Sequence, residues 1–177
     1  ADFQVVDRIV VDGFPSKRDG FTYAPDDYLR NLGRRSGWHH PDGVDYLRLI
    51  DAFGLTASVA SGAIDEVWLF GGPYFGYYES IMGGPAPIAC NAPPLYGAEA
   101  AGRRFVIMGF NYERGVGEML EDLGHRAESI LSYAYRHTSG TRNLWERFTR
   151  HEHTHPGGAE CGTVHFAPNS ERDYDWG

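Results

Sequence analysis

The chain has very little lysine: Lys17 is its only one, against fifteen arginines. Acidic residues outnumber basic ones, and the formal net charge is -8 over 177 residues. No cluster of lysine and arginine is present that would neutralise a row of phosphates. The composition therefore argues against nucleic acid and anionic membranes as partners and favours cations or neutral ligands.

Long apolar runs are also missing. The longest candidates, Val67–Phe70 and Phe105–Phe110, fall well short of the roughly 20 residues that a membrane-spanning helix needs. Ala1 is not followed by the charged and apolar regions of an export signal, so we expect that any such signal has been removed. With 177 residues and 42% hydrophobic content, the chain is predicted to form one domain over residues 1–177.

Cysteine is scarce as well, with only Cys90 and Cys161. Two distant cysteines in an exported protein indicate one disulfide that closes a long loop, whereas in a cytosolic protein they indicate two buried thiols. We favour the disulfide, because the chain is rich in aromatic residues and poor in lysine. The expected location is therefore extracellular.

Hydrophobic periodicity and turn residues divide the chain into strands and helices. The predicted strands are Phe3–Val11, Ile64–Phe70, Arg103–Phe110 and Gly162–Phe166, and the predicted helices are Asp26–Gly33, Val44–Phe53, Glu113–His137 and Leu144–Phe148. The second strand is expected to be central and buried. A long loop rich in glycine, proline and tyrosine follows it, from Gly71 to Gly102. We predict an α/β layered fold with a short sheet, and a site where this loop meets the long helix.

The long helix is predicted to have two contrasting faces. Its apolar stripe, expected to face the core, consists of Val116, Met119, Leu120, Leu123, Ala127, Ile130, Leu131 and Ala134. The opposite sector, about 80° wide, carries Arg114, Glu118, Glu121, His125 and Glu128. Three carboxylates and one imidazole with a single cation repel one another unless a metal ion or a proton joins them. A solvated face with ordinary ion pairs is the alternative.

The string from Glu121 to His125 resembles the HExxH zinc motif, with Glu121 in place of the first histidine and Asp122 in place of the glutamate. A glutamate and a histidine four residues apart can still hold a divalent metal ion, either zinc or calcium. Glu128 and the remote His165 are candidates to complete the set. Beside Glu121, the candidate metal ligands are therefore His125, Glu128 and His165.

Two smaller features bear on the same question. Gly124 removes a side chain next to His125, where a substrate or a second segment can approach closely. His151, His153 and His155 alternate, so that in an extended segment their imidazoles would project to one side and chelate a transition metal. Such tracts are more often exposed loops. They rank as a second candidate metal site.

Glu79 is the carboxylate of the aromatic, glycine-rich loop, where it can act as a proton donor or base. Paired with Glu118, it would form a couple like that of glycosidases. Tyrosine rings of this loop can stack on a sugar or peptide, or they can simply pack the loop against the protein. The predicted substrate-binding residues are Tyr74, Tyr77, Tyr78, Asn111 and Arg114.

Several short motifs lie between residues 64 and 177. They are Glu66-Val-Trp-Leu, Glu79-Ser, the run from Gly109 to Glu118, Gly124-His125-Arg-Ala-Glu128, Cys161-Gly, His165 with Pro168-Asn169, and Asp173-Tyr-Asp-Trp. As a set they resemble a family of secreted bacterial proteins. The resemblance implies an exported location and a C-terminal domain position. In the family pattern position 121 varies and is sometimes histidine, which implies that Glu118, His125 and Glu128 are the steadier site residues.

From these features we predict a secreted hydrolase that acts on an extracellular polysaccharide or peptide. Glu118, His125 and Glu79 are its expected catalytic residues, and a divalent metal ion is its expected cofactor. One alternative is a non-catalytic module that binds carbohydrate or attaches to a surface. Another is a structural subunit of an extracellular assembly, with a protein partner on the long loop.

Overall fold

The computed structural model describes residues 2–175 as two compact units, the first ending at Gly115 and the second beginning at Val116. The first contains a three-stranded sheet and the second a long helix, which confirms the predicted mixed α/β class. Trp176, the last residue of the Asp173-Tyr-Asp-Trp motif, lies outside the described residues. None of the helices within residues 2–175 combines the length and apolar character that crossing a bilayer requires.

The sheet of the first unit has three strands, β1 (Glu66–Gly71), β2 (Ser80–Gly83) and β3 (Phe105–Asn111). Strand β3 lies in the middle, parallel to β1 and antiparallel to β2. The prediction of strands at 64–70 and 103–110 is confirmed, but the expectation that the first of them is central was wrong. Strand β3 takes that place because both of its edges are paired, and six of its seven residues are buried.

Three helices accompany this sheet, α1 (Pro25–Arg34), α2 (Tyr46–Ala52) and α3 (Leu55–Ala60). The first two confirm predicted helices, and Asp45 caps α2 by accepting the backbone N–H of Arg48. Helix α3 was not predicted. It is only six residues long, and Gly54, with φ of 61°, separates it from α2.

The core of the first unit lies between α2, α3 and one face of the sheet. It contains Val44, Tyr46, Ile50, Leu55, Val59, Ile81, Ala98, Ala101, Phe105 and Ile107. Alternate residues of β3 contribute to this face, as the period of two in a strand requires. Burial of these apolar side chains is the main stabilising contribution to the unit.

Two segments of the first unit differ from prediction. Residues 3–11 form no strand, and their large side chains are exposed, with Val5 at 83%. The β-branched composition of such a segment favours a strand only where an edge to pair with and a surface to bury against are available. The predicted loop from Gly71 to Gly102 contains β2, since Ile81 and Met82 are buried beside β3.

The second unit is built on α4 (Val116–Tyr135), followed by the short helix α5 (Leu144–Phe148). Both were predicted, and α4 begins three residues later than expected. The indole N–H of Trp145 donates to Ser132 Oγ, 2.9 Å away, which joins α5 to α4. The strand predicted at residues 162–166 is absent from this described segment, where Phe166 makes only an isolated bridge to Asp175.

The burial of α4 differs from the prediction, since five of the eight residues of its apolar stripe are exposed and the other three are half-buried. Val116 and Leu120, from the apolar stripe, are 69% and 62% exposed. Glu121, His125 and Glu128, from the charged sector, are half-buried. The helical period assigns residues to faces correctly. The charged face, however, is the one covered by the C-terminal segment of the unit, residues 162–175, through Val164, His165 and Tyr174.

Candidate metal centre

The centre begins with two residues one turn apart on α4. Glu121 and His125 are separated by four positions, so they lie on the same side of the helix. His165 reaches them from the C-terminal segment, where its ring meets that of His125 with centroids 4.7 Å apart. This segment turns at Gly162, whose φ of 83° favours glycine.

Gly124 lets the C-terminal segment come this close to α4. A Cβ atom at position 124 would lie 2.5 Å from Val164 Cγ2, closer than packed atoms can approach. The backbone N–H of Val164 donates to Glu128 Oε1 at 2.8 Å, which fixes the segment against the helix. The close approach predicted beside His125 is thus confirmed, with a second segment as the approaching element.

Three ligand atoms converge at this contact. The Nε2 atoms of His125 and His165 are 3.0 Å apart. Glu121 Oε1 lies 3.8 Å from the first nitrogen and 3.5 Å from the second. In a tetrahedral zinc site with bonds of about 2.05 Å, neighbouring ligand atoms are about 3.3 Å apart. The observed separations are within about half an ångström of that value, so these side chains fit a tetrahedral ion with small movements.

Carboxylates stand behind both imidazoles. Glu128 Oε2 is 3.2 Å from His125 Nδ1, and Asp173 Oδ1 is 3.0 Å from His165 Nδ1. A carboxylate at Nδ1 favours the tautomer with its hydrogen there, which leaves the lone pair on Nε2. In that tautomer of both rings, the two Nε2 lone pairs are directed toward the same place.

We call Glu121 Oε1, His125 Nε2 and His165 Nε2 the acceptor cluster. Its side chains are 19% to 31% exposed, so the cluster is partly shielded from water yet accessible. Two imidazoles and one carboxylate are typical of zinc and related transition metals. Calcium takes six to eight oxygen ligands, so this donor set disfavours the calcium alternative.

The predicted metal ligands are only partly the ones that converge. His125 and His165 both belong to the acceptor cluster, whereas Glu128 lies behind His125. Glu121, which the resemblance had set aside, supplies the carboxylate instead. The four-residue spacing of the HExxH-like string was the signal for it. Asp173 was not singled out from the sequence as a partner of the site.

The histidine tract, residues 151–155, forms a turn. His151 is buried, and its ring stacks on Phe166 with centroids 4.6 Å apart. Burial lowers the pKa of His151, and the neighbouring His153 and His155 lower it further. Within residues 2–175, the acceptor cluster is the only place where three potential ligand atoms of histidine, cysteine or acidic residues converge.

The two carboxylates of the predicted glycosidase-like couple belong to different units. Glu79 is exposed just before β2, and its carboxylate accepts a hydrogen bond from the side-chain amide of Asn91. Glu118 is half-buried in the first turn of α4, one turn before Glu121. Their cooperation stays a prediction.

The predicted substrate-binding tyrosines have intramolecular partners. Tyr74 stacks on Trp38 with centroids 3.9 Å apart, and Tyr78 lies parallel to Tyr46 at 6.3 Å. Burial raises the pKa of Tyr77 to about 12. These contacts favour the interpretation that the rings pack the loop against the first unit.

Asn111 and Arg114 lie at the end of β3. The side-chain oxygen of Asn111 accepts the backbone N–H two residues later, at 3.0 Å. Its carbonyl accepts the backbone N–H of Arg114 at 2.9 Å. Asn111 therefore stabilises the turn that ends the strand, and the Arg114 side chain is exposed.

The structure does not confirm the predicted disulfide. Among residues 2–175 the two cysteines are separate thiols, Cys90 buried in the first unit and Cys161 exposed in the second. Cys90 Sγ lies 3.4 Å from Ser80 Oγ, inside the packing around β2. The sulfur of Cys90 is therefore enclosed by its own unit.

Comparison with protein-family models, curated proteins and solved structures finds no match for this chain. The likeness to secreted bacterial proteins therefore stays an expectation drawn from short motifs. Functional inference depends on the acceptor cluster and its surroundings.

Proposed function

We propose that the second unit binds one divalent transition-metal ion, preferentially zinc, through Glu121, His125 and His165, and uses it to hydrolyse an extracellular polysaccharide or peptide. The observation that supports metal binding is the convergence of two imidazole Nε2 atoms, 3.0 Å apart, with a carboxylate behind each ring. Carboxylate–histidine–metal arrangements of this kind are a regular feature of zinc sites.

The electrostatics of the acceptor cluster point the same way. Two lone pairs and a carboxylate oxygen that face one another are mutually repulsive, and a partly buried position weakens the relief that water can give. A cation at their centre turns that repulsion into three attractive bonds. A bound cation would therefore stabilise the cluster.

The donor set supports hydrolysis as the reaction. Two histidines and one glutamate form the protein ligands of several zinc hydrolases, in which a further position accepts water or substrate. The ion would supply a Lewis acid and an acidified bound water. Glu118 lies one turn from Glu121 on the same side of α4, where it is the candidate general base.

A zinc titration tests the metal site. The protein is stripped with a chelator and titrated with zinc by calorimetry, and one ion per chain is expected. His165→Ala should weaken zinc binding by more than about a hundredfold, because it removes a direct ligand. His153→Ala, in the histidine tract, is the matched control and should bind as the unaltered protein does. Equal affinity in all three proteins would contradict the proposal.

Hydrolysis is tested separately, with zinc-loaded protein and panels of polysaccharides and peptides. Glu118→Gln should lower kcat by at least about a hundredfold, as expected for loss of a general base, with unchanged zinc stoichiometry. Glu146→Gln, in α5, serves as the control. Elemental analysis that finds iron would argue against hydrolysis, since two histidines and a carboxylate also hold ferrous iron in oxygenases.

A further inference from the structure

The last described segment of the second unit folds back over the acceptor cluster. The backbone N–H of Tyr174 donates to the carbonyl of His165 at 3.0 Å, and Asp175 pairs with Phe166 as an isolated bridge. Ser170, which is fully buried, donates its hydroxyl to the carbonyl of Asp175. These bonds tie the two ends of the segment together and carry Tyr174 to the cluster.

The hydroxyl of Tyr174 lies directly at the cluster. It donates to Glu121 Oε1 at 2.6 Å, and its oxygen is 2.9 Å from His165 Nε2. The phenol has one hydrogen, and Glu121 receives it, so the oxygen presents a lone pair toward the histidine nitrogen. A fourth donor atom thus joins the three of the acceptor cluster.

We propose that Tyr174 is the fourth protein ligand of this metal ion and is displaced when a substrate binds. The inference rests on the proposed metal site. A phenol oxygen is a hard donor that suits zinc, iron and copper, and on coordination its proton passes to solvent. Four protein ligands then fill a tetrahedral site in the resting state.

The position of Tyr174 suits a ligand that can leave. Its side chain is 51% exposed, and its ring contacts that of His165, with centroids 4.2 Å apart. Glu121 and His125, in contrast, are carried on α4 and are half-buried. A carbonyl or other oxygen of the substrate would therefore replace the phenol before it replaces any member of the acceptor cluster.

Copper(II) is the probe, because it binds nitrogen and oxygen donors more tightly than the other divalent ions of its row. A phenolate bound to copper(II) also produces a charge-transfer band in the visible spectrum. The unaltered protein should show this band, and Tyr174→Phe should lose it while still binding one copper ion, with affinity lowered by about tenfold. Tyr135→Phe, at the end of α4, is the control and should keep the band.

Azide then tests displacement. Added to the unaltered copper protein, azide should abolish the phenolate band as it binds. Tyr174→Phe should bind azide at lower concentration, since its fourth position is not occupied by a side chain. Copper bound by both proteins with the same spectrum and the same azide affinity would overturn this inference and leave the metal site standing. Failure of the unaltered protein to bind any metal would overturn both proposals.

Discussion

Two polar sites of this molecule solve the problem of burial in opposite ways. In the first unit, the amine of Lys17 is fully buried and donates to Asp42 O, Asp42 Oδ1 and Tyr74 O, each at 2.6 Å. Three hydrogens meet three acceptors, so the site is complete. In the second unit, the acceptor cluster brings together two imidazole nitrogens and a carboxylate oxygen, and the hydroxyl of Tyr174 donates to that oxygen. Buried polar groups are normally satisfied. The convergence of potential metal-ligand atoms therefore distinguishes the second site from the first.

The largest effect is expected where the complete site is broken. Lys17→Met leaves Asp42 and the Tyr74 carbonyl without their shared donor, and should lower the free energy of unfolding by about 3 to 5 kcal/mol. Arg30→Met removes a comparable ion pair with Asp27, which is half exposed, and should cost at most about 1 kcal/mol. Urea unfolding followed by tryptophan fluorescence measures both. Similar losses in the two variants would remove the contrast.

The next largest effect is expected at Gly124, where the C-terminal segment contacts α4. Gly124→Ala places a methyl group against Val164 and should lower the stability of the second unit by about 1 to 3 kcal/mol. Zinc affinity should fall with it, because His165 follows Val164. Gly117→Ala, in the same helix with open space around it, should be neutral or stabilising by up to about 1 kcal/mol. The double variant with Val164→Ala should recover the loss, and a loss that persists there would rule out steric conflict as its cause.

A smaller effect is expected from the carboxylate that holds the tautomer of His165. Asp173→Asn weakens the hydrogen-bond acceptor behind His165 and should reduce zinc affinity by about tenfold, the lower end of the range for such partners, because Asp173 is 59% exposed. Glu171→Gln, a nearby exposed charge change, should leave affinity within about twofold. Calorimetric titration compares them. If both variants lose affinity equally, net charge and not tautomer control is responsible.

The smallest effect is a decline of the first unit at alkaline pH. Burial raises the pKa of Tyr28 and of Tyr77 from 10 to about 12. Because the folded chain holds these protons more tightly than the unfolded one, their contribution to stability is complete below pH 10 and is lost as pH rises toward 12. Absorbance titration should show late-ionising tyrosines, and Tyr77→Phe should lessen the loss of stability at pH 11. Tyr96→Phe, 68% exposed, should not.

Sequence patterns predicted where the helices and strands of this fold lie better than they predicted which face of each element is covered. The periods of α1, α4 and α5 and the apolar run of β3 are local properties, and all four elements formed where expected. The period of α4 also identified which residues share a side. It contains nothing about which side is covered, because that depends on a segment some 40 residues later, and five of the eight residues of the predicted core face proved to be exposed.

The candidate site divides in the same way. Glu121 and His125 are recognisable from their spacing alone, since a helix turn brings them together. Asp173 and Tyr174 reach the cluster only because the chain turns at Gly162 and the segment closes on itself at His165. No local pattern encodes that path. Residues that join a helical motif from a distant part of the chain are thus the part of the site that a single sequence does not predict.

The burial of Lys17 has a practical consequence. Since the chain has no other lysine and this amine has no exposed surface, reagents that acylate lysine side chains cannot modify the folded first unit. Acylation at residue 17 requires the unit to open, so the rate of mass gain at that position in a labelling time course counts opening events. Acylation of this residue thereby measures the rate of local unfolding of the first unit.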